Sequence, residues 1–148
     1  MLGSVARKLR ALGVDAAYYR SGDDGGLLSF ARSSGRVILT SDRALAGVAA
    51  RGGTPALLVT GKDDHERFRV LVGSAREAGF AINRGVPFCS SCGTKLEKLG
   101  RRDMSGRAPP SVIRRHRLFY GCPSCGKAYW RGSHWKKLRS FARMLSAA

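Results

Sequence analysis

Apolar residues in the first 84 positions recur in two alternating rhythms. Leu2, Val5, Ala6, Leu9 and Leu12 fall at the intervals of one helix face, and Gly13 stands where that helix would be capped. DAAYYR at 15–20 then reads as a short strand, GGLLSFARSSG as a helix closed by Gly35, and RVILT as a buried strand carried by β-branched residues. DRALAGVAARGG is helical again and PALLV is a strand. From Asp64 to Phe80 the spacing predicts a longer helix with Phe68, Leu71, Val72 and Ala75 on one face. The order is α-β-α-β-α-β-α, the pattern of an α/β fold in which helices cover a parallel sheet. One strand is wanting, because a βαβ unit needs a strand ahead of its helix and this pattern opens on a helix. The GVP at 85–87 interrupts the periodicity, so two domains are expected, 1–84 and 85–148.

The second stretch has a different organising chemistry. All four cysteines lie in two Cys-x-x-Cys pairs, Cys89/Cys92 and Cys122/Cys125, each followed by a glycine, Gly93 or Gly126. Each pair sets two thiolates on one tight turn, and two such turns facing each other make a closed four-sulfur site suited to structural zinc. The expectation is a small zinc ribbon with Cys89, Cys92, Cys122 and Cys125 as ligands. Two disulfides are the rival arrangement, but no apolar signal segment opens the chain, which points to a reducing, cytoplasmic setting. The stretch 93–121 between the pairs is long for a ribbon and predicts an exposed excursion.

Charge narrows the choice of partner. The chain carries 27 Lys and Arg against 10 acidic residues, a net charge of +17. Residues 1–84 hold 13 basic and 8 acidic side chains, whereas 85–148 hold 14 and 2, so the excess belongs to the cysteine-bearing half. Such an excess fits a polyanion. No apolar run approaches membrane-spanning length, which leaves nucleic acid ahead of anionic lipid. A coding bias toward Arg explains Arg in place of Lys, but not the scarcity of acids. Arg114, Arg115, Arg117, Arg131, Lys136 and Lys137 are interleaved with Tyr120, Tyr129, Trp130 and Trp135, a mixture able to contact phosphates and stack bases. Small metal domains also use aromatics as core, and Trp130 is read that way while Trp135 stays open. The final HWKKLRSFARML places Trp135, Leu138, Phe141, Ala142 and Leu145 on one stripe, a helix docked by its apolar face. His65 and His116 stand alone and read as surface residues.

Five of the eight acids in the first half follow predicted strands: Asp23 and Asp24 after DAAYYR, Asp42 after RVILT, Asp63 and Asp64 after PALLV. The carboxyl ends of parallel strands are where open α/β sheets bind ligands. Carboxylates gathered there hold Mg²⁺ or Mn²⁺ for phosphodiester hydrolysis. The same positions start helices, and from spacing alone Asp24, Asp42 and Asp64 read first as N-caps.

The strings MLGSVARKLRALGVDAAYY, DDGGLLSFA, ILTSDRALA and PFCSSCG…YGCPSCGKAYWRGSHWKKLR resemble the Mut-seven carboxy-terminal ribonuclease family over nearly all of residues 1–145. That resemblance implies a PIN-like nuclease domain fused to a zinc ribbon and a Mg- or Mn-dependent endoribonuclease activity. It matches Asp42 to the acid of a T-x-D motif, Asp24 and Asp23 to an acidic pair ahead of the second helix, and Asp63 or Asp64 to an outer contributor. Family members begin with a strand ending in aspartate just before the MLG segment, where this sequence starts. The expectation is thus a PIN-like domain lacking its first strand, inactive or weakly active as it stands, with RNA, ribosomal or transfer RNA included, as partner. A non-catalytic RNA- or ribosome-binding zinc protein is the alternative. A DNA-binding regulator ranks behind both, for want of a recognition-helix motif.

Overall fold

The structure, a computed structural model, describes residues 2–147. Contacts divide these into two units. One comprises residues 2–6, 17–82 and 143–147, the other Arg7–Ala16 and Asn83–Ala142. The first helix, α1 (Gly3–Ala11), and the last, α6 (Ser133–Ser146), each contribute to both.

The first unit is built on a parallel pair, β1 (Ile38–Thr40) and β2 (Ala56–Leu58), with Ile38 opposite Ala56 and Thr40 opposite Leu58. Helix α2 (Asp24–Ser34) ends on Gly35 in the left-handed conformation, as its sequence predicts. Helices α3 (Arg43–Arg51) and α4 (Asp64–Glu77) pack on β2, and α3 also touches β1. Crossovers of this length between parallel strands favour a helix, because the chain must return to the starting edge. Ala31, Ile38 and Ala49 form a buried cluster flanked by Leu27, Leu28 and Ala56. The predicted face of α4 is buried throughout, with Phe68 fully enclosed.

DAAYYR is not a strand. Residues 14–20 run without ladder pairing. The Ala16 carbonyl accepts from Arg10 Nε at 2.6 Å, and the Tyr19 ring stacks on Phe30 with centroids 6.1 Å apart. A run rich in aromatics makes a strand only where another edge offers it partners, and here side chains take up its polar and apolar groups instead.

The second unit carries an antiparallel sheet in the order β3 (Glu97–Leu99), β4 (Phe119–Gly121), β5 (Ala128–Trp130). The excursion at 93–121 is folded rather than loose. It contains β3, a 3-10 turn at Arg102–Met104 and the short helix α5 (Pro110–Arg115). Met104 is fully buried and anchors the turn, while its neighbours 101–103 and 105–107 are exposed. On α6, Phe141 and Leu145 are buried and Trp135, Leu138 and Ala142 half-buried, in keeping with the apolar stripe.

Candidate metal centre and basic cavity

The two cysteine turns are copies of one local fold. In each, the amide of the first cysteine donates to a carbonyl five residues on, Cys89 to Thr94 at 2.8 Å and Cys122 to Lys127 at 2.9 Å. The following glycine donates back to the first cysteine's carbonyl, Gly93 to Cys89 at 2.8 Å and Gly126 to Cys122 at 3.0 Å. Closing so short a ring requires a left-handed residue, and Gly93 and Gly126 have φ of 82° and 75°. The bonding aims both sulfurs of each pair to the same side.

The four sulfurs lie within 4.8 Å of one another. Cys89 Sγ is 3.6 Å from Cys125 Sγ, and Cys92 Sγ is 3.4 Å from Cys122 Sγ. A tetrahedral ion bonded to sulfur at about 2.3 Å sets its ligands about 3.8 Å apart, so the donor set fits a metal ion of that kind. Cys89 and Cys122 are buried and pack with Leu96 and Tyr120, while Cys92 and Cys125 are exposed. The thiolate form, the one that ligates, is favoured at two positions and disfavoured at Cys125. There the Lys127 backbone opposes burial and the neighbouring thiols, but the thiol is still pushed up to about 11. At Cys92 the hydroxyl of Thr94, 3.3 Å away, and the Thr94 backbone bring the thiol down to about 6. At Cys89 burial opposes the charge, but the Tyr129 hydroxyl at 3.0 Å and the amides of Cys92 and Ser91 outweigh it and lower the thiol below its ordinary range.

Arg10 supports this centre and was not legible in the sequence. It lies on α1, is 6% exposed, and donates from Nε to Ala16 O and from Nη1 to Ser90 O inside the first cysteine turn. A Cβ on Gly93 would stand 3.0 Å from its Nη2, so this glycine also leaves room for the guanidinium. The Arg10 carbonyl accepts from Phe88 N at 2.9 Å, just ahead of Cys89. The only available signal was an Arg at a position on the apolar side of a helix.

The five aspartates are not gathered in the same way. Among the described residues, the four cysteines are the one group of three or more potential ligands close enough to share an ion. Asp23, Asp42 and Asp63 are the N-caps of α2, α3 and α4. The caps at α2 and α4 thus sit one residue earlier than Asp24 and Asp64, because the side chain must precede the first helical residue to reach the free amides. Asp23 accepts from Gly25 N at 3.2 Å and Gly26 N at 2.8 Å, and Asp63 from Glu66 N at 2.8 Å. Asp64 Oδ1 accepts from Ser4 Oγ at 2.8 Å and pairs with Arg67 at 3.1 Å. Asp42 is placed by its motif: the buried Thr40 hydroxyl accepts from Asp42 N at 3.0 Å, and Asp42 Oδ1 takes both cap bonds from Ala44 and Leu45. Asp24 is exposed at the first position of α2.

The basic residues are partly convergent. Arg131, Trp135 and Lys136 line a cavity of about 320 Å³, and the Arg131 guanidinium lies over the Trp135 ring, 4.5 Å from its centroid. His116, Arg139, Gly132 and Ser133 complete the lining. His116, read as a surface residue, is half-buried, and Arg139 had no signal beyond its place one turn on from Trp135. Arg114 and Arg115 are exposed in the last turn of α5 and Arg117 follows, while Lys137 is exposed on α6 outside the lining.

The sequence model of the Mut7-C RNAse domain matches residues 1–142, and so spans both the aspartate-capped helices and the cysteine centre. The chain belongs to the Mut7-C RNAse family. No curated protein and no solved structure matches it. Membership in the Mut7-C family gives the chain a ribonuclease-related function, with RNA as substrate or partner. No helix of this Mut7-C protein, among the described residues, is long and apolar enough to cross a membrane.

Proposed function

We propose that this Mut7-C protein acts on RNA through a PIN-like α/β unit joined to a zinc ribbon, with the ribbon supplying most of the RNA affinity. The four-sulfur donor set carries the zinc reading, since soft, closed, tetrahedral coordination suits structural Zn²⁺, and bound Zn²⁺ would contribute folding free energy rather than chemistry. Keeping four unbridged thiols fits a reducing compartment such as the cytoplasm. The RNA reading rests on the family match together with the basic surface of the cysteine-bearing part.

Asp42 and Asp24 are the proposed inner acids of hydrolysis, with Asp23, Asp63 and Asp64 outside them. The Asp42 cap bonds both use Oδ1, which leaves Oδ2 for a cation or a water. Mg²⁺ or Mn²⁺ supplies charge neutralisation and a more acidic water in such nucleases. Among the described residues no three acids lie close enough to share an ion, so strong hydrolysis does not follow from them and weak activity is the reading. The same observation favours a second reading, an RNA-binding protein without catalysis. Incubating single-stranded RNA with the wild-type chain and Asp42→Asn, with and without EDTA, separates the two. Slow cleavage that needs Mg²⁺ or Mn²⁺ and disappears in Asp42→Asn supports the nuclease. RNA binding with no metal-dependent cleavage selects the second.

A further inference from the structure

The cavity beside α6 combines features that a general phosphate-binding surface does not need. It is concave, and at about 320 Å³ it falls at the lower end of the range for small-molecule sites, room for one nucleotide rather than a duplex. Its walls hold the cations Arg131, Lys136 and Arg139, and no carboxylate lines it. Among the described residues none of these three cations has an ion-pair partner. Trp135 is half-buried, and the Arg131 guanidinium carbon lies over its ring, 4.5 Å from the centroid, so that the two flat groups form one polarisable surface. Aromatic and guanidinium planes are the surfaces on which unpaired bases stack, whereas paired bases keep their faces inside the helix.

We infer that this cavity receives one unpaired nucleotide of an RNA strand, its base against the Arg131–Trp135 platform and its phosphate toward Lys136 and Arg139. The inference rests on the RNA reading above and deepens it: the cavity makes the protein a reader of single-stranded segments, loops or ends rather than of duplex. Sequence tolerance follows, because stacking uses the face that every base has.

The test uses the full, metal-loaded chain with three probes: a short single-stranded RNA, a blunt RNA duplex of equal length, and adenosine monophosphate. The expected result is quenching of indole emission by the single strand and not by the duplex. Trp135→Ala should weaken single-strand binding about ten-fold and leave duplex binding within error. Arg131→Lys, which keeps the ring and the charge but removes the flat guanidinium, should weaken it in the same selective way and stands in if Trp135→Ala loses its metal or its fold. Equal weakening for both RNAs, or no quenching, overturns the inference and leaves a general phosphate surface. Adenosine monophosphate binding as tightly as the single strand also overturns it, by assigning the cavity to free nucleotides. If the wild-type chain binds neither RNA, the RNA reading itself fails, a result distinct from loss of discrimination alone.

Discussion

Asp42 holds two roles on one side chain, and they respond differently to substitution. Its Oδ1 caps α3, and its place after Thr40 makes it the proposed catalytic acid. Asn is as good an N-cap as Asp, whereas Ala is not. Asp42→Asn should therefore unfold at the wild-type temperature while losing metal-dependent cleavage. Asp42→Ala should lose cleavage and about 1 kcal/mol of stability in urea titration. Equal destabilisation by both would show that the carboxylate's charge, rather than its hydrogen bonds, holds the helix end. The sequence located these acids at helix starts and could not tell cap from first residue, because the distinction depends on which backbone amide remains free. Gly13 is a second residue whose role is set by a close approach. With φ of 85° and the Gly85 carbonyl 2.2 Å from where a Cβ would sit, Gly13→Ala should cost more than about 1 kcal/mol.

At the scale of elements, the helices of the first half were legible because their apolar residues repeat over several turns. β1 and β2 were legible as short β-branched or aliphatic runs bounded by turns. DAAYYR failed as a strand because alternation describes a side chain's preference and not the presence of a partner edge. The cysteine centre was legible from spacing alone, since each turn closes on itself. Arg10 was not, because its contact with Ser90 joins positions far apart in sequence and because Arg on a helix reads as a solvated charge. Two predictions belong here. Cys89→Ser should abolish retention of zinc, one ion per chain by metal analysis, and unfold the antiparallel sheet as followed by amide exchange. Arg10→Met keeps every sulfur yet removes the clamp on the first turn. It should speed zinc loss to a chelator by ten-fold or more, as removing outer-shell support does elsewhere. An unchanged release rate would make Arg10 a packing residue only.

For the whole molecule the governing quantity is charge. RNA affinity should fall steeply with salt, by about 10³ or more between low and moderate ionic strength if six to eight phosphates are neutralised. Replacing Arg114, Arg115 and Arg117 together should flatten that slope by up to about three, read from binding isotherms at several salt concentrations. An unchanged slope would remove α5 and its flank from the interface. The charge asymmetry and the family resemblance were both visible in the sequence. The cavity was not, since His116 and Arg139 meet Trp135 only after folding.

The two units are interleaved along the chain, and this governs the order of events as the protein is made. Residues 7–16 leave the ribosome early but belong with Asn83–Ala142, and residues 143–147 emerge after most of the unit they join. The Arg10–Ser90 bond closes a loop of 80 residues. The partners of residues 7–16 are therefore synthesised well after that segment, which waits for them. Arg10 finds its place on the first cysteine turn only once Ser90 has emerged, so this contact is a late event of synthesis.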